Sequence, residues 1–245
     1  MRQKKWLCFG LALALSCANL QQVSAYAQEG VLAEEAAENL ESLTRRELED
    51  GTLEIVAYSG NDTMLTVPEA VEGKRVTRIG GYAFSGNGSL EGIVLPGGIT
   101  EIGDCAFWGC GSLKEIAIPE SVSKIPRGML KGCQKLSAAV IPEGVTEIGY
   151  DAFEGCSSLS QVVIPDSVKQ IGHEAFTNTA WLESQPEGVV YAGKIAYAYK
   201  GVRDSLTAVD IPEGICGIAD QAFKGCKSLA EVEISSTVQY IGKEA

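Results

Sequence analysis

Residues 76–98 read VTRIGGYAFSGNGSLEGIVLPGG. The three blocks behind them read ITEIGDCAFWGCGSLKEIAIPES (99–121), VSKIPRGMLKGCQKLSAAVIPEG (122–144) and VTEIGYDAFEGCSSLSQVVIPDS (145–167). One 23-residue pattern is thus written four times without a spacer. A further copy starts at Val168 and is interrupted. ICGIADQAFKGCKSLAEVEISST resumes the register at Ile215, and VQYIGKEA follows it to Ala245. Val168 and Ile215 are 47 residues apart, two periods plus one. Self-similarity at this period marks a solenoid, in which each unit buries its apolar face against its neighbours.

The recurring positions each have a physical reason. Ile79, Ile102, Ile125, Ile148, Ile171, Ile218 and Ile241 form one apolar row. Phe84, Phe107, Phe153, Phe176 and Phe223 form a second, with Leu130 in the same slot, and Leu90, Leu113, Leu136, Leu159, Leu182, Leu206 and Leu229 form a third. The stretch Leu113-x-x-Ile116-x-Ile118 ends in period-two alternation, which predicts a short strand with Ile116 and Ile118 inward. Pro96, Pro119, Pro142, Pro165 and Pro212 follow that strand and stop it, since proline donates no ladder hydrogen bond. Ile79, Ala83 and Phe84 stand at i, i+4 and i+5 ahead of Gly86, which predicts a single helical turn ended by glycine. One unit alone cannot offset the entropy of ordering its own residues, so the units must stack.

The pattern V-x-x-I-G-x-x-A-F-x-G-C-x-x-L-x-x-V-x-I-P, carried over residues 65–245, resembles the BspA-like class of bacterial leucine-rich repeats, found on exported and surface proteins. The resemblance implies an α/β leucine-rich-repeat solenoid, right-handed, of short β-strands and single helical turns. It also implies adhesive or protein-binding roles, with no catalytic residue to carry over.

Composition narrows the function. The 245 residues carry 20 Lys+Arg against 32 Asp+Glu, a formal net charge of −12. Phosphate binding needs a basic surface, so nucleic acid is not an expected partner. His173 is the one histidine, which removes most His-dependent catalysis. No Gly-x-Ser-x-Gly, Walker loop or dinucleotide fingerprint appears. His173 falls in the variable column of Gly81, Asp104, Arg127, Tyr150 and Asp220, which reads as solvent-facing. No Cys-x-x-Cys pair exists, so neither a metal nor a cofactor is expected. Cys110, Cys133, Cys156 and Cys226 share one column, and two readings stand for them: a ladder of buried thiols, or one or more disulfides between neighbouring units.

The flanks divide the chain further. Residues 1–27 carry Arg2, Lys4 and Lys5, then an apolar run from Trp6 to Leu20 and small-residue sites ending at Ala25 and Ala27. That is the build of a cleavable signal peptide, with no membrane span expected after cleavage. A lipoprotein box at Cys17 is the weaker alternative. Residues 28–50 read as an acidic linker or a short helix through Leu32, Ala36, Leu40 and Leu43. Residues 51–75 read as a capping hairpin, pairing Leu53–Tyr58 with Met64–Val67 across Ser-Gly-Asn-Asp. Residues 76–245 form the solenoid, with an irregular unit at 177–201. The next Phe is due just past Ala245, so the chain reads as a fragment of a longer protein.

Two sets of residues are candidates for binding. Val94, Ala117, Val140 and Val163 form a column between the inward strand positions, continued by Asp210 and Glu233. Such an apolar stripe turning acidic suits a protein ligand, although β-propensity alone also favours valine there. In the irregular unit, Trp181, Tyr191, Tyr197 and Tyr199 form either an aromatic docking surface or a cover over a gap in the core. The expected function is an exported, non-catalytic module binding a host or neighbouring-cell surface protein. The alternative is a spacer or scaffold region of a larger surface protein.

Overall fold

The computed structural model describes residues 39–245, so the signal-peptide reading and residues 28–38 of the acidic stretch lie outside them. The repeat forms a β-solenoid with little helix. Each circuit of the chain, here called a rung, contributes one short strand to each of two parallel sheets. On the first face Ala138–Val140 pairs in parallel with Gln161–Val163, matching Val140 to Val163. On the second, Glu147–Ile148 lies between Lys124–Ile125 and Gln170–Ile171, matching Ile148 to Ile125 and to Ile171. The partners are 23 residues apart, so sequence period and strand register are one quantity. The prolines sit between the two faces. The N–H of Ile99, Val122, Val145 and Val168 each returns to the carbonyl of the proline three residues before it, closing a turn.

The apolar rows stack inside. Ile79, Ile102, Ile125, Ile148 and Ile171 are buried, and Ile55, matched to Ile79, extends the row one rung earlier. Phe84 stacks on Phe107 with ring centroids 5.1 Å apart, and Phe153 on Phe176 at 5.3 Å. Leu130 fills the slot between those pairs and is buried. Leu90, Leu113, Leu136 and Leu159 are fully buried, whereas Leu182, Leu206 and Leu229 are only half-buried, so that row weakens from the irregular unit onward.

The expected helical turn is a run of tight turns instead. Its fourth position is left-handed on rung after rung: Tyr82 has φ 60°, Cys105 57°, Gly128 58°, Asp151 57°, Glu174 59° and Gln221 58°. A left-handed residue cannot continue an α-helix, and it turns the next N–H groups toward the neighbouring rung. A third ladder results. Phe84 donates to Ala106, Phe107 to Met129, Leu130 to Ala152 and Phe153 to Ala175, at 2.8–2.9 Å. Gly86, Gly109, Gly132 and Gly155 close each run at positive φ, and Asn178 takes that place at φ 58° in the irregular unit.

Two flanking expectations need correction. Leu53–Tyr58 does form a hairpin, but with Leu43–Glu47 before it, where a helix was one reading. Met64–Thr66 pairs in parallel with Gly92–Val94, so residues 53–66 already make a first rung. Leu53–Tyr58 is paired with Leu43–Glu47 on one side and with Lys74–Ile79 on the other, which places this strand inside a sheet.

The hairpin expected in the irregular unit is present, as Gly188–Ala192 against Ile195–Lys200, preceded by a single-turn helix Ala180–Glu183. Ala196 is matched to Ile218 and so takes the isoleucine position. The N–H of Tyr199 donates to Ala222 at 3.0 Å, so Tyr199 takes the phenylalanine position. An extended strand covers in three residues, Ala196 to Tyr199, what Ile148 to Phe153 covers in five through turns. The helix and hairpin lengthen the preceding half, and the net difference is the one residue by which the period slips. Among the described residues no helix is long and apolar enough to cross a membrane.

Candidate binding surface

The predicted outward column lies on the first face but is not continuous. Val94 is half-buried beside Thr66, and Ala117 is exposed just after the strand Glu115–Ile116. Val140 and Val163 stand side by side, 39% and 38% exposed. Asp210 and Glu233 are exposed and paired with each other on Ala208–Ile211 and Glu231–Ile234. Gln161–Val163 and Ala208–Ile211 are not paired, so the irregular unit separates the valine pair from the acidic pair.

The four aromatics do not form one exposed platform. Tyr197 is buried, with its ring edge-on to Phe176 at 5.4 Å. Trp181 is half-buried and packs on Phe176 at 5.0 Å. Tyr191 and Tyr199 pack partly against the second core cluster of Val209, Ile211, Ile218, Ala222 and Phe223. Burial raises the phenol pKa of both Tyr191 and Tyr197, the latter to about 12, which keeps them neutral. Tyr197 is therefore a core residue, because the rung that lacks a phenylalanine needs a ring there.

The second face carries a groove of about 720 Å³ that the columns did not disclose. Glu101, Lys124, Glu147 and Gln170 project from its strands, and Asp104, Arg127 and Tyr150 from the residues just after them. Asp220 and Tyr240, from beyond the irregular unit, complete it. Lys124 and Glu147 pair at 2.8 Å across neighbouring rungs, and Arg78 pairs with Glu101 at 2.6 Å. Asp220 was expected in solvent with its column but is buried. It accepts the Lys243 N–H at 2.6 Å and the Tyr240 hydroxyl at 3.3 Å. A hydrogen bond to Asp220 is also the main cause that raises the Tyr150 phenol pKa. Tyr150 itself is 40% exposed, with its ring 5.0 Å from the His173 ring. The groove thus presents phenols, a guanidinium and carboxylates on a rigid sheet, a set of hydrogen-bonding and stacking groups suited to a polar ligand. The one signal in the sequence was the column Asp104, Arg127, Tyr150, His173 and Asp220, whose chemistry changes at almost every step.

The six cysteines among the described residues are free thiols. Cys110, Cys133 and Cys156 are buried and donate to the carbonyls of Phe84, Phe107 and Leu130 at 3.0–3.3 Å. The column is thus a ladder of buried thiols at these three positions, while Cys226, its fourth member, is only half-buried.

The sequence profile described as BspA type Leucine rich repeat region matches six copies over residues 63–183 and 195–245, and the chain belongs to that family. The gap in the match falls on the irregular unit. Among solved structures, the T. pallidum leucine-rich repeat protein is similar at 29% identity and a TM-score of 0.61, over 83% of this chain and 84% of that one. A leucine-rich repeat protein from Bacteroides ovatus is similar at 22% identity and a TM-score of 0.46, over 83% and 78%. No curated protein matches the chain.

Proposed function

We propose that the chain is an exported, surface-displayed module that binds a protein ligand of a host or neighbouring cell, without a catalytic role of its own. The groove on the second face carries this reading: its exposed Arg127 and Tyr150 are not needed by the core. The basic and apolar start of the chain supports export, and the net charge of −12 favours a protein over a nucleic acid as ligand. A second reading puts the ligand on the first face, because Val140 and Val163 expose two adjacent β-branched side chains there. Trp181, Tyr191 and Tyr199, all half-buried, would then border either site only at their edges.

The test is a binding titration against a panel of extracellular-matrix and cell-surface proteins. Arg127→Glu with Tyr150→Ala should weaken binding at least ten-fold, about 1.4 kcal/mol. Val140→Asp with Val163→Asp should leave it unchanged. The opposite pattern would move the site to the first face. A panel without any ligand would favour the spacer role.

A further inference from the structure

We propose that Asp151, His173 and Glu174 form a binding site for a divalent transition-metal ion of the zinc class. Asp151 and Glu174 hold the same repeat position on neighbouring rungs, and both are left-handed, at φ 57° and 59°. Their carboxylates therefore stack at rung spacing. The N–H of Asp151 donates to the His173 carbonyl at 3.2 Å, which brings the chain's one histidine alongside. One donor atom from each of the three residues lies within 4.8 Å of the other two, and His173 Nε2 is 3.9 Å from Glu174 Oε2.

The two carboxylates have few direct cation contacts. Lys131 is held by Glu154 at 2.5 Å and reaches Asp151 at only 3.4 Å, so one ammonium serves two carboxylates. The Oδ1 atom of Asp151 is buried and has no hydrogen-bond partner among the described residues. Among those residues Glu174 pairs with no lysine or arginine. A cavity of about 420 Å³ opens beside His173 and Glu174, where the irregular unit leaves the repeat path. Three cations line it, and each has its donors engaged by other groups. Lys200 donates to the carbonyls of Leu182, Glu183 and Gln185, Arg203 to the carbonyl of Lys224, and Lys224 to Glu244. A carboxylate with an orphaned buried oxygen, a second carboxylate with no lysine or arginine partner among the described residues, and an imidazole thus stand together beside that cavity.

The donor set selects the ion. Calcium and magnesium take oxygen donors, six or more for calcium, whereas one imidazole with two carboxylates suits zinc and its neighbours. Zinc bonds of about 2.0–2.2 Å need the donors drawn closer than they stand, and rotation of the exposed Glu174 side chain does that. The cavity leaves room for water at a fourth position.

The single histidine makes the test specific. The chelator-treated protein is titrated with zinc chloride, following the one imidazole C2 proton resonance by NMR, so that zinc bound at cysteines does not register. The resonance should move and saturate at one equivalent. Glu174→Gln and Asp151→Asn should each raise the zinc concentration needed at least ten-fold, with circular dichroism unchanged. Glu174 is exposed, so its variant tests the site even if Asp151→Asn fails to fold. A resonance that stays in place at millimolar zinc, or that moves equally in wild type and the Glu174→Gln variant, overturns the proposal.

Discussion

The hydroxyl of Tyr197 accepts the backbone N–H of Phe176 at 2.9 Å, standing where other rungs present a carbonyl. Phe84, Phe107, Leu130 and Phe153 all donate to the backbone of the next rung. At Phe176 the next rung is the extended strand Ile195–Lys200, whose backbone is out of reach, and a phenol substitutes for it. The same ring lies edge-on to Phe176, so one side chain repairs both the ladder and the aromatic stack.

Tyr197→Phe keeps that packing and removes only the acceptor, leaving a buried N–H unpaired. Urea unfolding should show a loss of about 1–3 kcal/mol. A loss below about 0.5 kcal/mol would mean that the N–H finds another partner.

Phe153→Ala empties a fully buried slot between Leu130 and Phe176 and should cost about 3–5 kcal/mol. His173→Ala, measured in chelator, should change stability by less than about 0.5 kcal/mol, since its side chain is a third exposed. Should the histidine variant be the more damaging, the assignment of repeat columns to core and surface fails.

A Cβ built on Gly149 would lie 2.7 Å from Arg127 N and 2.8 Å from Pro126 C, in the backbone of the rung before it. Gly149→Ala must push two rungs apart and should cost about 1–3 kcal/mol or more. At Gly111 nothing lies within 4 Å, so Gly111→Ala should be neutral or stabilise by up to about 1 kcal/mol. Thermal melts of the two variants compare them directly.

Burial raises the Tyr197 phenol from 10.0 to about 12, the Cys110 thiol from 9.0 to about 11 and the Cys156 thiol to about 12. In each case the folded chain favours the protonated form. The contribution is complete below the unfolded values, near pH 9 for the thiols and 10 for the phenol, and is lost as pH rises toward 11–12. Stability should therefore be flat to pH 9 and then fall by about 1.4 kcal/mol per pH unit for each group ionising only in the unfolded chain. Denaturant midpoints between pH 8 and 11 give the slope. At pH 8, iodoacetamide should label the half-buried Cys105 and Cys226 first and spare Cys110, Cys133 and Cys156 until denaturant is added.

The columns of Ile79, Phe84 and Leu90 were legible because burial forces identical side chains to recur at the period. The hairpin around Gly193 was legible from its glycine and β-branched residues. The turn run was mistaken for a helical turn because Ile79, Ala83 and Phe84 share a face either way. What separates the two is the left-handed backbone at Tyr82, Glu174 and Gln221, residue types that do not announce positive φ. The groove was invisible for a different reason. Tyr150 and Asp220 are 70 positions apart in the chain, and only the irregular unit's departure from the repeat path joins them.

That departure also sets how the molecule comes apart. In an array coupled only between neighbours, cooperativity is as strong as its weakest junction. Neither sheet is paired across the step into Ile195–Lys200, as is also true between the rung of Glu101–Ile102 and Glu115–Ile116 and that of Lys124–Ile125 and Ala138–Val140, but here the third ladder is reduced as well, to the Tyr197 hydroxyl. The larger cluster of buried side chains crosses this step through Ile195, Tyr197, Cys216 and Ala219, and a small one of Ala196, Val209, Ile211, Ile218, Ala222 and Phe223 lies beyond it. The solenoid should therefore part most easily at this step, the smaller block after it melting before the larger one. A protease added at mild denaturant would meet the exposed Gly201–Ser205 segment first and leave the larger block as a stable core.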